Sequence, residues 1–173
     1  MSRNRFLITV AAAAVAACSS DQSATAPNRT AGRAQPAPSH VEIAGTIEVS
    51  GHDAAPVSLR YDDKLIPLGG AESALLEGLV GAEALVRGTE DLDGVLVVES
   101  FRVLAVNGRA ALDGVLMIYV ASNYAIRLDD GSVYALEDPP AELTEHVGSR
   151  VWVTGGTDGL PIEFGVIEYG RSR

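Results

Sequence analysis

The sequence predicts an all-β protein with short helices, folded as two tandem five-stranded barrels, each with a helix between strands 3 and 4. Three observations predict it. The stretch Leu59-Arg60-Tyr61-Asp62-Asp63-Lys64 returns as Ile126-Arg127-Leu128-Asp129-Asp130-Gly131, and Leu76, Val80, Gly81, Val86, Gly88 and Asp91 return as Leu143, Val147, Gly148, Val153, Gly155 and Asp158, all at an offset of 67 positions. A recurrence of this kind marks a duplicated structural unit. Most apolar runs in both copies alternate with polar or small residues, the period of a strand with one face inward. One short run in each copy instead has helical spacing and ends at a glycine, Gly81 or Gly148.

A chain of 173 residues with 47% hydrophobic and 21% charged residues is globular in composition and has enough apolar material for a core. Its formal net charge is -10, and four of the basic residues, Arg3, Arg5, Arg29 and Arg33, precede position 40. Such a surface repels phosphate backbones, so a sequence-independent grip on nucleic acid is not expected. The single cysteine, Cys18, cannot form an intramolecular disulfide.

Arg3 and Arg5 form a positive start, and Phe6 to Ala17 supplies an apolar run shorter than the roughly 20 residues a bilayer span requires. This is signal-peptide patterning over 1–17. The run ends in Val15-Ala16-Ala17-Cys18, which resembles the lipobox of bacterial lipoproteins. That resemblance implies cleavage before Cys18 and lipid attached to it. Ser19 in place of Asp implies the outer membrane in a Gram-negative envelope; a Gram-positive source would place the anchor in the outer leaflet of the cytoplasmic membrane. Residues 18–39 hold almost no large apolar side chain after Cys18 and read as a disordered tether, since they bury too little to offset ordering entropy.

The first copy spans 40–106. Val41 to Val49 alternates as a strand, with Gly45 marking a bulge or bend. Val57 to Tyr61 is a second strand. Asp62-Asp63-Lys64 turns into Leu65 to Leu68, which Pro67 assigns to an edge. Glu72 to Val80 has Leu75, Leu76, Leu79 and Val80 at one-face helical spacing. Ala82 to Gly88 and Val95 to Leu104 complete the unit around the acidic turn Thr89 to Gly94.

The second copy spans 107–173, entered through the link Val106-Asn107-Gly108-Arg109. Leu112 to Val120 is its first strand, with Gly114 repeating the role of Gly45. Tyr124 to Leu128 and Val133 to Leu136 pair across Asp129-Asp130-Gly131, where Asp-Gly signals a two-residue hairpin. Asp138 as N-cap and Pro139 at the first helical position, with Leu143 and Val147 inward, predict the second helix. Arg150 to Thr154 and Ile162 to Tyr169 close the copy.

Three strands, a helix and two strands in some 60 residues is the element order of a small Greek-key barrel. The pattern, with Tyr134-Ala135-Leu136 and His146-Val147-Gly148-Ser149-Arg150-Val151-Trp152-Val153-Thr154-Gly155, resembles small secreted bacterial OB-like domains. The resemblance covers both copies and implies fold, with little to say about activity. A unit this short buries only about 60% of its unfolded surface, so the two barrels are expected to pack together. The competing architecture is one larger barrel of eight or more strands, against which the two intervening helices argue.

No nucleophile elbow accompanies the three histidines, His40, His52 and His146, and no two of them share metal-binding spacing. Neither cofactor nor metal is expected, and no catalytic residue. Glu90, Asp91 and Asp93 lack a full calcium-loop pattern and read as a soluble turn. Asp62-Asp63 and Asp129-Asp130 resemble catalytic dyads, but tight turns explain them first. Aromatic residues concentrate in the second copy. OB-like barrels bind glycans and oligonucleotides by stacking on strands 2 and 3, which makes Tyr124, Arg127 and Tyr134, with Trp152 adjacent, the candidate ligand face. The competing reading makes these rings core. The expectation is a non-enzymatic, lipid-anchored envelope protein, periplasmic or at the cell surface, held to the membrane through Cys18. Its barrels would engage an envelope glycan or protein, and exposed edges would admit a partner strand. The alternatives are a structural or stress-related envelope protein without a small ligand, and a hydrolase accessory subunit.

Overall fold

Ten strands and two short α-helices follow one another as β1 (His40–His52), β2 (Ala55–Tyr61), β3 (Lys64–Gly69), α1 (Ser73–Leu76), β4 (Glu83–Glu90), β5 (Leu96–Val106), β6 (Arg109–Ile118), β7 (Tyr124–Arg127), β8 (Val133–Ala135), α2 (Ala141–Thr144), β9 (Arg150–Thr154) and β10 (Glu163–Glu168). The computed structural model describes residues 40–52, 55–120, 123–156 and 161–170. The expected signal peptide, Cys18 and the tether lie outside the described residues. The protein is thus mainly β with two short helices, as the alternating patterns predict. Among the described residues no helix is long and apolar enough to cross a membrane.

The strands hydrogen-bond into one ten-stranded sheet that is antiparallel except between β3 and β5. In the first copy β1 pairs with β2 and with β4, β2 with β3, β3 with β5 and β5 with β4. These five pairings return to their starting strand. In the second copy β6 pairs with β7 and β9, β7 with β8 and β9 with β10, four of the five pairings of the first; among the described residues β8 does not pair with β10 as β3 does with β5.

The repeat extends to register. Gly45 stands opposite Ala84 and Gly114 opposite Val151; Val86 stands opposite Phe101 and Val153 opposite Phe164. A β-bulge precedes Ala84 in one copy and Val151 in the other, skipping Leu104 and Ile167 respectively. Gly45 and Gly114 serve one purpose, since a Cβ there would strike the carbonyl oxygen of Arg60 or of Arg127. Both cores are built from matching positions: Leu116, Ile126, Leu136, Leu143, Val151 and Val153 answer to Ile47, Leu59, Leu68, Leu76, Ala84 and Val86, all buried. Each large aliphatic side chain so buried contributes about 1.5–3 kcal/mol.

Several local expectations give way to backbone chemistry. Val80 and Val147, expected inward, are 48% and 42% exposed. α1 gives way to a 3₁₀ turn at Glu77–Leu79 with Val80 extended beyond it, and α2 ends at Thr144, so neither valine lies on a helical face. Asp138 is no N-cap: its φ is +45°, and Pro140 holds the N-cap position in extended conformation. Pro140 itself excludes Pro139 from the helical region, which starts α2 later than expected. The Asp129-Asp130-Gly131 hairpin has three loop residues, with Leu128 N–H bonded to Ser132 C=O and Gly131 N–H to Leu128 C=O. The segment Val106-Asn107-Gly108-Arg109 is itself a tight hairpin, since Val106 pairs with Arg109 and Asn107 and Gly108 have φ of +51° and +73°. Two positive φ angles match the twist of the flanking strands, so β5 continues into β6 and joins the copies into one sheet.

Candidate functional site

The strand registers divide the four residues of the candidate face. Ile126 is fully buried and stands opposite Tyr134. Since alternate residues share a face, Tyr124 and Tyr134 lie on that same inward side. Tyr124 is half-buried against the second core; Tyr134 is 43% exposed on β8. Arg127 points to the opposite side and is exposed. Trp152 lies between the inward residues Val151 and Val153, so its indole occupies the reverse face, against the first core and over Gly165.

That reverse face carries an ion pair of the second copy, Asp113 with Arg150, that also hydrogen-bonds to the backbone of β5 in the first. The Arg150 guanidinium donates from Nε to Asp113 Oδ1 at 2.9 Å, from Nη2 to Asp113 Oδ2 at 2.8 Å and to the carbonyl of Phe101 at 2.6 Å. Its Cζ lies 4.4 Å from the centroid of the Phe101 ring. Val103 N–H donates to Asp113 Oδ2 at 2.8 Å, which satisfies a buried amide where β6 turns from β5 toward β9. Burial alone would draw the Arg150 pKa down. The hydrogen bonds and charge of Asp113, with the charges of Asp129 and Glu72, reverse this and raise it. The Asp113 side chain is 1% exposed and that of Arg150 20%, so the carboxylate is closed to a ligand while Arg150 borders a cavity of about 200 Å³ beside Glu168 and Tyr169.

Other polar groups are similarly engaged in structure. Asp91 Oδ1 accepts the amides of Asp93 and Val95, both at 2.9 Å, and Asp130 Oδ1 accepts that of Ser132 at 2.8 Å. That hydrogen bond holds the Asp130 carboxyl below its ordinary range. The Arg60 guanidinium does the same to Glu48 by hydrogen bonding and charge. His40 Nδ1 lies 3.0 Å from Glu99 Oε1 and 3.4 Å from Thr89 Oγ1, while Thr89 Oγ1 donates to Glu99 at 2.9 Å. Both contacts fall on one ring nitrogen, whereas a hydroxyl–imidazole–carboxylate relay requires opposite ones. The cluster ties the start of β1 to β4 and β5. His146 packs against Phe164 and Tyr169. Among the described residues, no three His, Cys, Asp or Glu side chains are grouped to hold a metal ion.

A concave site lies in the first copy. A groove of about 470 Å³ is lined by Val41, Ile43, Lys64, Leu65, Ile66, Glu90, Gly94 and Leu96. Its size falls within the roughly 300–1,000 Å³ of small-molecule sites. β1 supplies its aliphatic floor, and one lip is the start of β3. That strand pairs with β2 from Lys64 to Leu68, but with β5 only at Leu68 and Gly69. The edge assignment suggested by Pro67 therefore holds for Lys64 to Pro67, whose outer side has no strand partner among the described residues. The other lip is the β4–β5 turn, pinned by Asp91 and closed by Asp91 N–H to Val95 C=O at 2.9 Å. Leu92 at its apex is fully exposed, and Leu65 across the groove is 53% exposed.

Ile66 and Tyr134 occupy corresponding positions, opposite Leu59 and Ile126. The aromatic face and the groove are thus one location in the two copies. The signal available in the sequence was the departure from repetition, with Lys64 at the place of Gly131. No family model, curated protein or solved structure matches this chain.

Proposed function

We propose that this protein is a membrane-anchored, non-catalytic binding module of the cell envelope, made of two OB-like barrels at 40–106 and 107–173, and that the groove of the first is its ligand site. The groove carries the reading. It combines aliphatic walls, a free strand edge and a turn pinned by Asp91, with Glu90 of that turn left to line the groove. The ring of pairings through β1 to β5 and the matching registers of β6 to β10 support the barrel assignment. The Val15-Ala16-Ala17-Cys18 pattern supports lipid anchoring at Cys18. The acidic balance favours neutral, zwitterionic or cationic ligands over polyanions.

The test is saturation-transfer NMR of the full chain against soluble glycan fragments and short peptides, beside the Ile66→Arg and Tyr134→Ala variants. Binding of at least one class, abolished by Ile66→Arg and with the ligand recovered unaltered, is expected. Failure to bind any class, or cleavage of the ligand, overturns the reading. Loss in Tyr134→Ala alone would transfer the site to the second copy.

A further inference from the structure

Resting on that reading, the geometry points to a short zwitterionic peptide with aliphatic side chains as the ligand of the groove. Val41, Ile43, Ile66 and Leu96 make its walls apolar, yet one cation and one anion, Lys64 and Glu90, also line it. They belong to different lips, Lys64 to β3 and Glu90 to the end of β4. Neither side chain has a hydrogen-bond or ion-pair partner among the described residues.

Opposite charges unpaired across an apolar trough complement a molecule that is itself dipolar with an aliphatic body. A free carboxylate would meet the Lys64 ammonium, a free ammonium the Glu90 carboxylate, and an aliphatic side chain between them the wall of Ile43 and Ile66. The backbone of such a ligand finds the unpaired edge of β3 beside it, so an extended peptide adds main-chain hydrogen bonds that an alkyl amine or a fatty acid cannot. A neutral sugar matches neither the walls nor the charges. Leu65, half exposed, extends the apolar lip of β3 outward, which suits a chain of a few residues better than a single amino acid.

The experiment is isothermal titration of the full chain with trileucine, with trileucine acetylated at its amine, and with trileucine amidated at its carboxyl group. Trileucine is expected to bind. Blocking the amine or carrying Glu90→Gln should each weaken it about tenfold, the scale of one hydrogen bond to a charged group. Amidation or Lys64→Met should do the same, and the blocked peptide should be indifferent to the variant that removes its own partner. Equal affinity for all three peptides, or unchanged binding in both variants, overturns the assignment of charges. If trileucine does not bind while a glycan fragment binds and is sensitive to Ile66→Arg, the peptide class is wrong and the binding module stands. If no ligand of either class binds, both fall.

Discussion

At Asp113 one carboxylate performs three tasks: it accepts two hydrogen bonds from Arg150 and one from the amide of Val103. Truncating it leaves the Val103 amide without its acceptor and the Arg150 guanidinium without its counter-charge, held by the Phe101 carbonyl and ring alone. Asp113→Ala should therefore cost about 3–5 kcal/mol of unfolding free energy in chemical denaturation, the range for breaking a buried pair from one side. The exposed carboxylate Asp130 acts through pH instead. Its folded pKa is depressed by the Ser132 amide, so its contribution is present above the unfolded value, near 4, and disappears as pH falls through the folded value. Asp130→Asn should show a shallower acid limb than the wild type, with the two curves meeting at the acid end. The two differ in how far the sequence reveals them. The role of Asp113 is not legible in the sequence, because its partners come from strands β5 and β9, distant along the chain. Asp130, in contrast, was legible as a turn residue from its neighbours alone.

Among the elements, the strands were the more legible because their period is two and the flanking turns are chemically marked. Helix ends were misplaced where a proline constrained the residue before it, as at Pro139-Pro140, or where one turn tightened to 3₁₀ before Val80. The glycine stops were legible, and their purpose is now visible. Gly148 N–H donates to Leu116 C=O at 2.8 Å and Gly81 N–H to Ile47 C=O at 2.8 Å, with φ of +89° and +90°. Each glycine ends a helical segment and fastens it to the first strand of its own copy. Gly148→Ala should lose about 1–2 kcal/mol, the cost of left-handed backbone for a residue with a Cβ, read as a shift of the denaturation midpoint at unchanged slope. An unchanged midpoint would mean that the segment end is not fastened as described.

For the molecule as a whole, the duplication was legible and the way the copies join was not. Asn107-Gly108 is a strong hairpin signal that reads as a mere link once the repeat has set a boundary there. The hairpin, the hydrogen bonds of Arg150 and Asp113 to Phe101 and Val103, and the core all cross that boundary: Ile167 of the second copy is buried in the first core, and Trp152 packs against it. Trp152 fluorescence and far-UV circular dichroism should consequently report one coincident unfolding transition. Two separated transitions would mean that the copies fold independently. The site followed the same logic. The aromatic side chains of the second copy drew attention to positions that the first copy uses with smaller side chains, and only the registers reveal that Ile66 and Tyr134 correspond.

Methyl-labelled NMR of the full chain during a trileucine titration locates the site residue by residue. Shifts should concentrate at Val41, Ile43, Ile66 and Leu96, leaving Leu116 and Ile126 of the second core unmoved. Shifts centred on the methyl groups around Tyr134, or a saturating titration that moves no groove methyl, would contradict a binding module that works through its first copy.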